Sequence, residues 1–404
     1  MLRLSVLTVL VLIVLAPHSI WLSEAQTVNL IVSLEEPEVD SIQYVYLANE
    51  TLYAAGSRGP YLIVLAYRGV DRLWAQSVNL GGNVSVLNME VKRGLINIIA
   101  SSRSTNNNTL WTVKLDTNGS IVEKAYTRIN LRLNPLRAIA LGDSVYIVGS
   151  SLILGVEDHY MIARVSSRGV EWVREDMGLG YFKCINEVAG GRLLAVGDNG
   201  AAGLIVIISQ TGEVLRSYSI SFNNTNLKIL GCWGAGREQY LTGSAGAIPI
   251  LMRLSIGGNL EISLNFTIVE GVGGVGTSLA QIGDYMLVNT ITQNGTLILV
   301  FNIGGNLKLI GYYNVTRVTG VNPIALEAST SNSRVAYGGF HDKSGYILIL
   351  EFSPPKSEAI TPIGVLTLIG DPRLTIALIV AIVALLAIAL YIRLSRRKQA
   401  HSQQ

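Results

Sequence analysis

Charge is scarce in this 404-residue chain: Asp, Glu, Lys and Arg make up 15% of it, where roughly 25% is usual. A chain this poor in charge and 49% hydrophobic is neither disordered nor composed like a highly soluble cytosolic enzyme. The net charge of +3 is unevenly placed. Without Arg3, Glu24 and the cluster Arg393, Arg396, Arg397 and Lys398, residues 26–391 hold 26 basic and 27 acidic side chains, a balance of about −1. Such a body has no electrostatic footprint for nucleic acid.

Motifs of catalysis and metal binding are missing too. There is no HExxH, no CxxC and no GxSxG elbow. Away from the two ends the histidines are His159, which begins an apolar strand, and His341, in a turn before Asp342-Lys343. Structural or solvent-facing roles suit both. Gly-Gly pairs at 81–82, 257–258 and 304–305 read as turns, since none leads through Gly-Lys-Ser/Thr into a helix. No cofactor and no metal site is expected. Helical periodicity is absent between residues 27 and 353.

Long apolar runs occur at the two ends. Residues 1–25 read as a signal peptide: Arg3, an apolar core from Leu4 to Ala16, the breaker Pro17, then Ser23-Glu24-Ala25 as a cleavage site. Leu374 to Ile392 is an uncharged stretch long enough to span a bilayer, and the four cations after it form a stop-transfer cluster. Residues 354–373, with four prolines, read as a stalk and 393–404 as a basic cytoplasmic tail. The expected topology is a single-pass plasma-membrane protein with its body outside. Asn-x-Ser/Thr triplets agree, as glycosylation candidates, at Asn49, Asn83, Asn107, Asn118, Asn223, Asn265, Asn294 and Asn314.

The body, residues 26–353, is one unit repeated. A short apolar strand ending in a small residue recurs as Leu52 to Gly56, Ile96 to Ala100, Val145 to Gly149 and Leu193 to Gly197, then as Tyr240 to Gly243, Met286 to Asn289 and Arg334 to Gly338. Each is followed by a nearly continuously apolar strand such as Tyr61 to Tyr67, and in most units by a Gly turn and a strand of mixed polarity. A further short run, such as Ile42 to Leu47, precedes each unit. Four short strands cannot bury both faces alone, so the units must stack on one another. The fold class is therefore all-β, a seven-bladed β-propeller plus one C-terminal transmembrane helix. Pro354-Pro355 halts blade seven before its outermost strand, while Thr27 to Ser33 is an orphan strand. Pairing residues 28–33 with 346–351 closes the ring and removes an exposed edge. In that frame every sequon falls in a turn or on an outermost strand.

The repeat resembles known propeller families. Val148-Gly149-Ser150 followed by a strand and a turn before Trp172 is similar to a kelch repeat, and Gly338-Gly339 to that family's paired glycine. Asp116-Thr117-Asn118-Gly119 looks like the turn of quinoprotein-type (PQQ-like) repeats, which place Trp four residues after the Gly. Here Trp74 follows Gly69 by five and Trp172 follows Gly169 by three, and the quinone site's adjacent cysteines are absent. The resemblance implies the ring with its central channel and carries neither family's activity.

A ligand would sit at the channel mouth, where the innermost strands converge. Their polar members are Gln43, Asn88, Glu90, Arg137, Asn186, Glu187, Gln281 and Glu327, with Arg137 and Glu187 a candidate pair. Cys184 and Cys232 lie on the innermost strands of blades four and five. Outside the cell they invite a disulfide, whereas the spacing of equivalent strands against the ~5.5 Å a bridge prefers leaves two buried thiols open. The function expected is a non-catalytic binding or scaffold module for protein or glycan partners. An extracytoplasmic enzyme, polysaccharide-acting or quinoprotein-like, is the alternative, and an accessory subunit of a transporter or secretion system a further one.

Overall fold

The computed structural model describes residues 28–354 except 49, 154–156 and 223–224. The N-terminal signal-like segment, the stalk from residue 355, the apolar run 374–392 and the basic tail lie outside the described residues, as do Asn49 and Asn223. Among the described residues no helix is long and apolar enough to cross a membrane.

Seven antiparallel four-stranded sheets follow one another. Blades one to six are 41–79, 83–129, 133–174, 181–220, 227–268 and 275–314. Blade seven takes three strands from 324–352 and completes itself with Val28–Glu36 as its outermost strand. Val28 pairs with Phe352 and Ser33 with Leu348, and the ladder runs on to Glu36 opposite Gly345, past a register shift between Leu30 and Val32. The expected closure is present and three residues longer.

Stacking explains the apolar third strands. Leu62 to Tyr67 are buried one after another, on both faces of the sheet. Seven apolar clusters form the core, one at each blade–blade contact: Ala55 and Val64 of blade one with Val86 and Ile98 of blade two, for example, or Val32 and Ile347 of blade seven with Ile42 and Leu65 of blade one. Two tryptophans add a latch. Trp74 of blade one donates through Nε1 to the Thr117 carbonyl of blade two at 2.9 Å, and its ring lies where a Cβ on Gly119 would sit. Trp172 of blade three repeats this on blade four, through the Gln210 carbonyl and Gly212.

The small residue that ends each second strand has a steric cause. A Cβ on Gly56, Gly149, Gly197, Gly243 or Gly339 would overlap a carbonyl oxygen of the innermost strand opposite. In blade two Ala100 holds the position, facing Val86. In blade six the glycine has crossed the ladder, where Thr290 faces Gly276. The sequence-based ends of units six and seven, Asn289 and Gly338, are thus one residue short of the equivalent positions. Gly243→Ala is expected to destabilise the fold by about 1–3 kcal/mol through overpacking. Ala100→Gly should cost no more than about 1 kcal/mol; urea unfolding of both variants checks the contrast.

Two expectations need correction. A five-residue helix, Val315–Thr319, links blades six and seven, capped by Asn314 accepting from the Arg317 N–H at 2.9 Å and ended by Gly320 at φ 76°. One turn is too short to write a period into the sequence. Asn83 is the exposed first residue of an innermost strand, not a turn residue. Of the other described sequons, Asn107, Asn118 and Asn294 lie in turns and Asn265 and Asn314 on outermost strands.

Candidate binding site

The ring has two rims. At the upper rim second strands turn into third strands and outermost strands cross to the next blade; the remaining turns form the lower rim. Val28 and Phe352 both end at the lower rim.

Every innermost strand is bulged against its second strand, with Gln43, Leu87, Leu136, Lys183, Leu230, Thr277 and Leu326 as the extra residues. A bulge leaves one residue unpaired and re-aims those after it. The innermost strands of all seven blades thereby line a cavity of roughly 170 Å³ on the axis, with Tyr44, Asn88, Arg137, Lys183, Asn186, Ser278 and Glu327 among its polar wall.

Arg137 crosses this cavity. Its Nη2 is 3.2 Å from Glu327 Oε2 of blade seven, which is not a neighbour of blade three, and donates to the Leu326 carbonyl at 3.2 Å. Its guanidinium lies 5.0 Å from the Tyr44 ring centre, and the Tyr44 hydroxyl donates to the Leu87 carbonyl at 2.5 Å. Burial lifts the Glu327 carboxyl above the usual range, and the Arg137 charge and the Ala328 N–H draw it only part of the way back. Burial likewise raises the Tyr44 hydroxyl.

A carboxyl with a raised pKa holds its proton in the fold at a pH where the unfolded chain has released it. Its contribution to stability is therefore fully present below the ordinary carboxylate range and is lost as pH rises through the window up to the raised value. Glu327→Gln has no such term. Its stability relative to the parent is expected to increase with pH across that window and then level off, which urea unfolding from about pH 3 to about pH 8 measures.

A second ion pair borders the first. Lys183 Nζ is 2.7 Å from Asp198 Oδ2, and the buried Asp198 also accepts from the Ile229 N–H at 2.8 Å and the Gly200 N–H at 3.0 Å. Lys183 and Leu230 belong at the same time to a larger hollow of roughly 750 Å³ on the upper rim over blades four to six, whose wall includes Tyr181, Lys228, Ala247, Val275 and Ile291. Cys184 and Cys232 are joined as a disulfide with Cα atoms 5.9 Å apart, so the equivalent strands do approach closely enough at this point.

Of the channel residues expected from sequence, Asn88, Arg137, Asn186 and Glu327 line the cavity. The others do not. Gln43 is a bulge residue whose Oε1 accepts from the Val86 N–H at 2.7 Å, tying blade one to blade two. Glu90 borders a side groove between blades two and three. Gln281 folds onto the Gly283 carbonyl at 2.9 Å. Glu187 is exposed, and Arg137 takes Glu327 as its partner in its place. Tyr44, Lys183 and Ser278 were missed, although their place at or just after the recurring bulge marks them. His159 pairs with Ser151 in the blade-three ladder, and His341 ends a strand rather than sitting in the turn. Among the described residues no three His, Cys, Asp or Glu side chains converge.

No family model matches this chain, and neither does any curated protein. Solved structures do. Raptor from Chaetomium thermophilum matches with a TM-score of 0.54 and 9% identity over 80% of this chain, which is 29% of the Raptor chain. The AfRom2 CNH domain matches with a TM-score of 0.48 and 14% identity over 81% of this chain and 99% of that domain. What the Raptor match shares with this chain is the propeller-type fold. The likeness is to 304 chains of solved structures and is one of fold.

Proposed function

We propose that the chain is a cell-surface binding module, a non-catalytic propeller held to the plasma membrane by residues 374–392 and presenting its upper rim to a protein or glycan partner. The observation that carries this reading is the upper-rim hollow of roughly 750 Å³, within the range of ligand sites and adjacent to the axial cavity, with which it shares Lys183 and Leu230. Its rim mixes apolar wall with the exposed Lys228 ammonium and the Tyr181 ring. Both described ends of the ring, Val28 and Phe352, lie at the lower rim, opposite the hollow. Asn83, Asn107, Asn294 and Asn314 stand around the upper rim, in keeping with an extracellular face.

The test is site-specific photo-crosslinking in intact cells. A photoreactive residue at Lys228 is expected to capture one discrete partner, and the same residue at Asp143 on the lower rim is not. Equal capture from both positions, or none from Lys228, overturns the reading.

A further inference from the structure

Ser278 is 3% exposed and lines the axial cavity, yet its hydroxyl has no hydrogen-bond partner among the described residues. Asn289, 1% exposed, stands opposite it in the ladder. Its Oδ1 accepts from Thr277 Oγ1 at 2.9 Å, while its Nδ2 is unpartnered. Buried polar groups are hydrogen-bonded as a rule, and leaving one unmade costs free energy. Ser278 stands at the wall of a polar cavity with Asn289 behind it on the second strand, which points to a guest bonded at Ser278.

The charges of the wall constrain that guest. Arg137 is matched by Glu327 and Lys183 by Asp198. An ion entering this confined space would unbalance one of the pairs without a counter-charge. A neutral molecule with several hydroxyls would not, since each hydroxyl both donates and accepts. Around it the wall offers donors on Arg137 and Lys183, acceptors on Glu327, and both on Asn88. The cavity of roughly 170 Å³ has room for one small molecule rather than a chain, and it shares Lys183 and Leu230 with the larger hollow.

Resting on the reading of the ring as a binding module, we propose that its partner is a glycan recognised end-on. The terminal sugar residue occupies the axial cavity, bonded by Ser278, Asn88 and the Arg137–Glu327 pair, and the residues that follow lie in the upper-rim hollow beside Tyr181.

Calorimetric titration of the full-length chain, in a detergent without a sugar headgroup, tests this with glucose, galactose, mannose and N-acetylglucosamine as probes. At least one is expected to bind saturably with a millimolar or tighter Kd. Ser278→Ala should weaken that binding roughly threefold to tenfold, and Ser278→Leu, which fills the cavity, should abolish it with the Tm retained. If Ser278→Leu does not fold, Asn88→Leu serves as the second blocking variant. Absence of binding by all four sugars, or parental affinity in the Ser278→Ala or blocking variant, overturns the proposal. A protein captured at Lys228 by a chain that binds none of the sugars would sink the glycan while leaving the binding module standing.

Discussion

Deletion of Val28–Glu36 is expected to leave no folded, monomeric ring. Among the described residues this strand supplies the only hydrogen-bonded partner of the last strand of blade seven on its outer side. It also places Val28 in the cluster between blades six and seven and Val32 in the cluster between seven and one. Losing the two valines removes roughly 1.5–3 kcal/mol of burial each, and the bared Ser344–Phe352 strand becomes an edge open to pairing with other chains. The Glu36 carboxylate goes too, and with it the hydrogen bond from the buried Tyr67 hydroxyl. The combined loss exceeds what single substitutions reach and rivals the whole stability of an ordinary domain. Size-exclusion chromatography and thermal unfolding of the deleted chain are expected to show aggregation or a transition lowered by well over 10 °C. Addition of a peptide spanning residues 27–36 should restore the parental transition. A deleted chain that unfolds at the parental temperature as a monomer would show that closure contributes little. Val32→Asp gives the milder version, a charge buried between blades one and seven.

That closure was legible in sequence because both halves of it are marked: two prolines stop one strand where another strand is left over. Blade number was legible for a related reason. Each third strand is covered on both faces by its neighbours, so burial is written as an unbroken apolar run that recurs with the repeat. The site was legible only in part. Alternation along a strand assigns every second residue to one face, and a bulge shifts that count by one. Tyr44, Asn88, Arg137, Ser278 and Glu327 each directly follow the extra residue of their bulge, and Asn186 keeps the same alternation two residues further on. Glu187 and Gln281 fall on the opposite face. The pairing of Arg137 with Glu327 was out of reach for another reason. Their blades are not adjacent, and only the radius of the closed ring brings them together. The missing glycine of blade six was likewise hidden, since Gly276 does the same steric work from the other strand.

Replacing both cysteines, Cys184→Ala with Cys232→Ala, is expected to lower stability by about 4 kcal/mol on the chain-entropy account, given a bridge between residues 48 apart in sequence. For a ring of this size that corresponds to a fall in Tm of roughly 5–6 °C. The effect belongs mainly to the unfolded state, because the folded contact between blades four and five has other supports. Leu194 and Val196 pack against Leu227 and Ile250 in one cluster, and Asp198 of blade four accepts from the Ile229 N–H of blade five. The two blades should therefore remain docked in the variant, with the ring still closed at blade seven. A reductant offers a second route to the same state. Cys232 is half-buried and lines the axial cavity, so a small thiol entering the channel reaches the bridge without unfolding the ring. Dithiothreitol should reproduce the fall in Tm in the parent and have no effect on the double variant. Equal Tm values for parent and variant under oxidising conditions would mean that the bridge adds no stability. The same bridge lies against Lys183 and Leu230, the wall shared by cavity and hollow. With the blades still docked, the folded double variant is expected to bind the sugar proposed above with parental affinity, which calorimetry measures.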